Sequence, residues 1–218
     1  KGYKEITLLG QNVDSYLWYG GGLKKEFKNA SEMEKATATS FSNLLAMVAE
    51  AQPKMRIRFS TSNPQDMTED VLHTMAKYPN ICDYIHLPFQ SGSTRILKEM
   101  NRQHTREEYM QLIDKILEII PGCGISQDII TGFPTETEED HQDTLSLMEY
   151  VQFYFGYMFK YSERPGTMAA RKLEDDISEE TKKRRLTEIV DAQRSHSANR
   201  TKQCLGKIME VLIERESK

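Results

Sequence analysis

Cysteine is scarce in this sequence, and the few cysteines lie far apart. Cys82, Cys123 and Cys204 are odd in number and form no Cys-x-x-Cys pair. Closely spaced thiolates are needed to hold zinc or an iron–sulfur cluster, and paired cysteines are needed for a disulfide framework. The chain by itself therefore carries neither kind of site, and its cysteine usage favours a reducing, cytoplasmic location.

Long hydrophobic runs and an excess of positive charge are missing too. The most apolar stretches, such as YVQFYFGYMF at 150–159, fall short of the roughly 20 residues that a membrane-spanning helix needs. The 29 Lys and Arg residues are outnumbered by 33 Asp and Glu residues, which leaves a net charge of -4. We therefore expect no membrane and no DNA partner, and any RNA contact has to use a local basic patch.

Several motifs of common enzyme classes are absent as well. The sequence has no G-x-S-x-G, no H-E-x-x-H and no G-x-x-x-x-G-K-[ST], and the triple glycine at 20–22 is interpreted as a flexible tip. The five histidines lack metal-ligand spacing, and His86, the one within a predicted strand, is interpreted as a packing residue. These absences argue against a barrel enzyme that uses a metal or an acid–base pair.

Apolar runs typical of buried parallel strands alternate with helical patterns along the chain. The predicted strands cover 5–10, 55–61, 83–89, 124–133 and 153–161. The predicted helices cover 40–51, 68–78, 105–120, about 135–152 and 178–203. Thr105, with Glu108 three residues later, forms a capping box, which predicts that the third helix begins at this point. Repeated strand–helix units predict an α/β fold with a parallel sheet, either open or closed into a full or partial barrel.

Polar side chains follow most of these strands. Gln11 and Asn12 follow the first, Ser60 and Ser62 the second, and Gln90 the third, while Asp128 lies in the fourth. Because the carboxyl ends of parallel strands meet at one edge, these groups are expected to converge there. Amides, hydroxyls and few acids suit the binding of a polar small molecule better than acid–base turnover.

Five long stretches are together similar to a known family. They are LLGQNVDSY, RIRFSTSNPQDMT, HLPFQSGSTRILKEMNRQHTREEY, SQDIITGFPTETEED and YSERPGTMAA, in this order between residue 4 and about residue 200. In them the chain resembles the radical S-adenosylmethionine (SAM) methylthiotransferases of the MiaB type, which modify tRNA. The resemblance implies a partial (β/α) TIM-like barrel of the radical SAM type, SAM as cofactor and the tRNA anticodon stem-loop as partner.

The resemblance also implies a reaction. A reduced cluster cleaves SAM to a deoxyadenosyl radical, which removes the hydrogen at carbon 2 of an isopentenylated adenosine before sulfur and a methyl group are introduced. The GQNV and SERPGT blocks favour this substrate. The alternative is a sister methylthiotransferase that acts on threonylcarbamoyl-adenosine tRNA or on a ribosomal protein. A non-catalytic RNA-binding module is disfavoured by the net charge.

Parts of the family pattern are missing from this chain. The family binds two 4Fe-4S clusters, one through a CxxxCxxC loop and one through three cysteines of an N-terminal domain, and the cysteines here match none of these positions. We expect residues 1–200 to be a radical SAM core without its first strand–helix unit, and 201–218 to be a linker and the start of a truncated TRAM RNA-binding domain. Such a fragment binds no cluster and is expected to be inactive.

The resemblance assigns site roles residue by residue. Amides after the first strand hold the methionyl end of SAM, hydroxyl and acidic groups bond its carboxylate or ribose, and the strand before the fourth helix lines its adenine. The cofactor-binding residues so implied are Gln11, Asn12, Ser60, Ser62, Gln90, Asp128, Ile130, Gly132 and Phe133. No catalytic side chain and no metal ligand is assigned within the chain.

The basic residues offer two candidate contacts to RNA. Arg164 in SERPGT, just past the last strand, is the preferred candidate for a phosphate or substrate contact. KKRR at 182–185 is a second candidate, although the acidic residues around it also fit a solvated helix face. Glu136 receives no ligand role and is interpreted as negative charge at a helix N-terminus.

Overall fold

Five parallel strands form the frame of the molecule. The computed structural model describes residues 2–60 and 62–213. The parallel strands are β1 (Glu5–Leu8), β4 (Arg56–Phe59), β5 (Tyr84–His86), β6 (Gly124–Thr131) and β7 (Phe155–Lys160), and a short antiparallel ribbon joins β2 (Leu17–Trp18) to β3 (Thr39–Ser40). All five parallel strands lie within the stretches predicted from apolar runs.

The parallel strands follow one another in an arc. β1 pairs with β4 from Glu5 opposite Arg56 to Leu8 opposite Phe59, and β5, β6 and β7 pair in that order. A bridge between Ile57 and Ile81 joins the two groups. The resulting order β1-β4-β5-β6-β7, with helices in the connections, is that of an incomplete barrel. The prediction of a partial barrel of parallel strands alternating with helices is thus confirmed.

Helices connect the strands and cover their outer face. They are α1 (Glu32–Ala36), α2 (Phe41–Ala51), α3 (Glu69–Lys77), α4 (Thr94–Glu99), α5 (Arg106–Ile119), α6 (Glu138–Val151), α7 (Met168–Lys172) and α8 (Glu179–Lys202). The five longer helices were predicted, and Ser40, Thr105, Thr137 and Ser178 cap four of them as side-chain acceptors. The three helices of five or six residues were missed, because so few residues show no clear period.

The core lies between the strands and this helical layer. Ile57, Phe59, Ile85, Leu87 and Ile129 of the strand segments are almost fully buried against apolar faces of α2, α3, α5 and α6. A second, smaller apolar cluster contains Ile96, Phe133 and Tyr161. Within the described residues, no helix has both the length and the apolar character that crossing a bilayer requires.

Gly92 lets the loop after β5 touch the backbone of α6. Its N–H donates to Thr144 Oγ1 at 2.9 Å, and a Cβ built on it would lie 2.5 Å from the Asp143 carbonyl oxygen and the Thr144 Cα. Because these atoms belong to a helix backbone, they cannot rotate away. We expect Gly92→Ala to lower the free energy of unfolding by about 2–3 kcal/mol, measured by urea denaturation.

Gly122 provides a comparison, because an alanine there would meet a conformational penalty but no steric clash. At Gly122 an added Cβ meets no atom within 4 Å, but φ is +84°. Gly122→Ala should therefore cost only the left-handed conformational penalty, about 1–2 kcal/mol. A Gly92→Ala variant as stable as the wild type would contradict the steric explanation, because Gly92 has no positive φ and the clash is the only cost expected there.

Candidate functional site

The loops that follow β1 and β4 are joined by buried polar contacts. The Asp14 carboxylate accepts the backbone N–H of Asn63 at 3.2 and 3.3 Å, and Asn12 Nδ2 donates to Asp66 Oδ2 at 2.6 Å. Asp14 is only 6% exposed, and burial raises its pKa to about 7. These contacts fix the first part of the rim at the carboxyl ends of the strands.

Two polar atoms on these loops are buried without a partner among the described residues. They are Asn12 Oδ1 and Ser62 Oγ. A buried polar group that makes no hydrogen bond costs about 1–3 kcal/mol, so nearly all such groups in folded proteins are satisfied. A water or a polar ligand bound between these two adjoining loops would complete their hydrogen bonding.

Gln90 and Asp128 meet on the next part of the rim. Gln90 is buried with φ at +69°, and its backbone bonds to β6 on both sides, to Asp128 O at 2.9 Å and from Ile130 N at 3.0 Å. A non-glycine residue at positive φ is held there only by strong surroundings, and such residues cluster at functional sites. Asp128 Oδ2 lies 3.5 Å from His86 Nε2, while Asp128 Oδ1 is buried and has no partner among the described residues.

Below this rim a chain of hydrogen bonds lines the concave face of the strands. The Tyr84 hydroxyl donates to Ser126 Oγ at 2.6 Å, and Ser126 Oγ lies 2.8 Å from His86 Nδ1. His86 thus bonds to Ser126 through Nδ1 and lies beside the Asp128 carboxylate with Nε2. It is a satisfied histidine, as its interpretation from the sequence implied, but it also faces the lumen of the barrel.

The lumen contains a cavity of about 210 Å³. The Arg58 guanidinium carbon lies 5.7 Å from the centroid of the Tyr84 ring, and Arg58 Nε forms an ion pair with Glu5 Oε2 at 3.2 Å. The cavity is lined by Thr7, Arg58, Phe59, Ser60, Tyr84, His86, Phe155 and Tyr157. Apart from Ser60, none of these residues was assigned a site role from the sequence. For Phe155 and Tyr157, the alternation of large aromatic residues with Gly156 and Met158 in β7 is the sequence signal that could have identified them.

The remaining cofactor-binding candidates lie in different surroundings. Gln11 is exposed, and Ser60 donates its backbone N–H to Leu8 O at 3.2 Å. Ile130 and Phe133 pack in the smaller apolar cluster, where the Phe133 ring meets Tyr161 at 5.2 Å. Gly132, at φ +69°, approaches Lys182 of α8. Asn12, Ser62, Gln90 and Asp128 are therefore the candidates whose surroundings best fit a polar ligand.

The interpretation of Glu136 was wrong. Its carboxylate is 3% exposed and accepts the Gly132 N–H at 2.7 Å and Arg185 Nη1 at 2.8 Å. Burial raises the pKa of Glu136, although the Gly132 N–H and Arg185 act against that shift. Glu136 thus fixes the turn between β6 and α6, and Thr137 is the residue that caps the helix.

In the basic run at 182–185, three of the four cations are engaged in ion pairs and only Lys183 is exposed without one among the described residues, so an RNA contact there stays a prediction. Lys182 is 2% exposed and pairs with Asp175 at 2.5 Å and Glu179 at 3.3 Å. Arg185 is bonded to Glu136, and Arg184 bridges two acids of α6 and α8. Arg164 lies exposed just after β7, and its contact with RNA stays a prediction.

The described residues offer no site that fits an iron–sulfur cluster. The three cysteines are free and do not come together; Cys123 is fully buried, and burial raises the pKa of its thiol to about 12. Glu138, His141 and Glu188 do approach one another, but Arg184 pairs with both glutamates. That group is an ion-pair network between α6 and α8.

Comparisons with known proteins agree with this geometry. The sequence model described as "Radical SAM superfamily" matches residues 1–148. A tRNA-2-methylthio-N(6)-dimethylallyladenosine synthase of Christiangramia forsetii is 77% identical over 218 residues, and the protein of the same name in Flavobacterium johnsoniae is 72% identical. Each match covers 100% of this chain and 45% of the relative, so the chain spans less than half the length of these proteins.

A solved structure shows the same fold at low sequence identity. Coproporphyrinogen III oxidase (HemN) from Escherichia coli, described as a radical SAM enzyme, superposes with a TM-score of 0.56. The match covers 78% of this chain and 38% of that chain at 19% identity, which supports the partial-barrel fold and nothing finer.

Proposed function

Because the chain belongs to the radical SAM superfamily, we propose that its barrel rim binds SAM within a tRNA methylthiotransferase. The observation that supports this proposal is that three of the eight buried side-chain atoms without a partner among the described residues, Asn12 Oδ1, Ser62 Oγ and Asp128 Oδ1, lie on the rim. All three belong to residues that the sequence had assigned to the cofactor. The amino, carboxylate and ribose hydroxyl groups of SAM supply the donors and acceptors that such atoms lack.

Each group of the rim has a distinct part in this binding. The Asn12 amide is held by Asp66, so its oxygen is free to accept from the methionyl ammonium group. Ser62 Oγ can donate to a carboxylate, and Asp128, with His86 Nε2 at 3.5 Å, can accept from ribose hydroxyls. When bound, SAM supplies the radical that removes a hydrogen atom from the substrate.

The proposed substrate is the isopentenylated adenosine beside the anticodon of tRNA. The names of the two relatives, at 77% and 72% identity over the whole chain, support this choice over the sister methylthiotransferases. We propose that Arg164, exposed after the last strand, contacts the RNA of the anticodon stem-loop. The clusters that the reaction requires would be held by the rest of the full-length protein, since the cysteines described here do not fit them.

SAM binding by the full-length protein, reconstituted anaerobically with iron and sulfide, tests the proposal. Asp128→Asn keeps the shape of the side chain but removes the charge of an acceptor. We expect it to weaken SAM binding by roughly 10- to 100-fold in calorimetry, the range for a hydrogen bond to a charged group.

The control is Asp143→Asn, on the exposed surface of α6. It should leave the SAM affinity unchanged. Equal affinities for the wild type and Asp128→Asn would remove Asp128 from the site, and a reconstituted wild type that binds no SAM would refute the proposed function.

A further inference from the structure

A short helical segment is fastened to the rim outside the barrel lumen. The chain forms a 3-10 helix over Lys24–Asn29. Lys24 Nζ forms an ion pair with Asp66 Oδ1 at 2.7 Å, and Asp66 Oδ2 accepts a hydrogen bond from Asn12. The segment is therefore anchored at the carboxyl ends of β1 and β4, the edge from which a large substrate has to approach the proposed cofactor.

The segment has an inner and an outer side. In such a helix, residues three positions apart lie on the same side. Lys24 and Phe27 form the inner side, because Lys24 is bonded to Asp66 and the Phe27 ring centroid lies 5.1 Å from that of the buried Tyr19. Lys25 and Lys28 share another side, and both are exposed and form no ion pair among the described residues. Two ammonium groups thus face solvent together at the rim.

An exposed aromatic ring lies on the strand that leads into this segment. Trp18, the one tryptophan of the chain, is 54% exposed, whereas the next residue, Tyr19, is 6% exposed and packs on the segment. The backbone of Trp18 is held by pairing of β2 with β3, opposite Thr39. A large indole ring is therefore presented to solvent from an ordered backbone close to the lysines.

The combination of exposed lysines and an exposed indole fits RNA. Ammonium groups attract backbone phosphates, and aromatic rings stack on unpaired bases of any sequence. The net charge of -4 gives no general attraction to RNA, so local cations have to supply it. In the run at 182–185 three of the four cations are already paired. An acidic protein segment would pair with the lysines but offers no planar base to the indole.

We propose that Lys25 and Lys28 contact backbone phosphates of the RNA and that Trp18 stacks on one of its unpaired bases. This inference rests on the proposed function and assigns its RNA partner a contact surface outside the lumen. The two kinds of contact respond differently to salt. Phosphate contacts release counterions and weaken as salt is added, whereas stacking on the indole ring involves no charge.

The test measures the affinity of the reconstituted full-length protein for a prenylated anticodon hairpin, by fluorescence anisotropy at several salt concentrations. The double variant Lys25→Gln, Lys28→Gln removes two phosphate contacts. It should reduce the slope of log K against log salt by about 1 to 2. Trp18→Ala should weaken binding about tenfold, the effect of one stacked base, and keep the wild-type slope.

Lys54→Gln with Lys77→Gln is the matched control. It makes the same change of charge at exposed positions near the opposite edge of the barrel, before β4 and at the end of α3. This control should keep the wild-type slope, and every variant should bind SAM as the wild type does.

A Lys25, Lys28 double variant with the wild-type slope overturns the inference, and so does a Trp18→Ala variant with the wild-type affinity. Either result is obtained on a wild type that binds both SAM and the hairpin. It is therefore distinguishable from failure of the proposed function, in which the wild type itself binds no SAM.

Discussion

Replacing Arg185 by alanine should lower the free energy of unfolding by about 3–5 kcal/mol. The Arg185 guanidinium is 4% exposed and donates to both the carboxylate and the carbonyl oxygen of Glu136, at 2.8 and 3.0 Å. Its loss leaves the Glu136 charge buried without its cation. Denaturation by urea, monitored by circular dichroism, measures the change.

The neighbouring arginine provides the control. Arg184 also forms ion pairs, with Glu138 at 2.6 Å and Glu188 at 2.7 Å, but its side chain is 46% exposed. Exposed pairs contribute little, so Arg184→Ala should cost much less stability than Arg185→Ala. If both variants lost the same small amount, Arg185 would be a solvated residue and the buried pair would be ruled out.

The free energy of unfolding should fall as the pH rises from about 4 to about 7 because of Asp14. Burial raises the pKa of this carboxyl group from 3.8 to about 7. Between these values the folded chain binds a proton that the unfolded chain has released, so raising the pH favours unfolding. The contribution of Asp14 has a slope of up to about 1.4 kcal/mol per pH unit and is complete above pH 7.

Asp14→Asn isolates this contribution. The amide oxygen still accepts the Asn63 N–H but carries no titrating proton, so the variant should gain stability relative to the wild type as the pH rises through this window. Asp70→Asn, at an exposed position on α3, is the parallel control and should show no such gain. A constant difference between wild type and Asp14→Asn from pH 4 to 8 would contradict a raised pKa.

Local sequence patterns were sufficient to predict the parallel strands and the longer helices. The apolar runs contain all five parallel strands, and the capping box at Thr105 and Glu108 marks the start of α5 as predicted. These signals are local because strand period and helix caps involve residues within a few positions of one another. The order of strands and helices then placed Asn12, Ser62 and Asp128 near the carboxyl ends of the strands.

The burial and the partners of individual side chains depend on the tertiary structure. Glu136 and Arg185 are 49 residues apart, and neither the pairing nor its burial can be inferred from their local sequence. Strand alternation likewise divides β7 into two faces, but only packing against α8 decides that Phe155 and Tyr157 face the lumen. The sequence by itself determined the family, the strand–helix alternation and the rim candidates. Which polar atoms are orphaned, which charges are buried and which aromatic residues form a cavity was decided only by the tertiary structure, because each depends on contacts between distant segments.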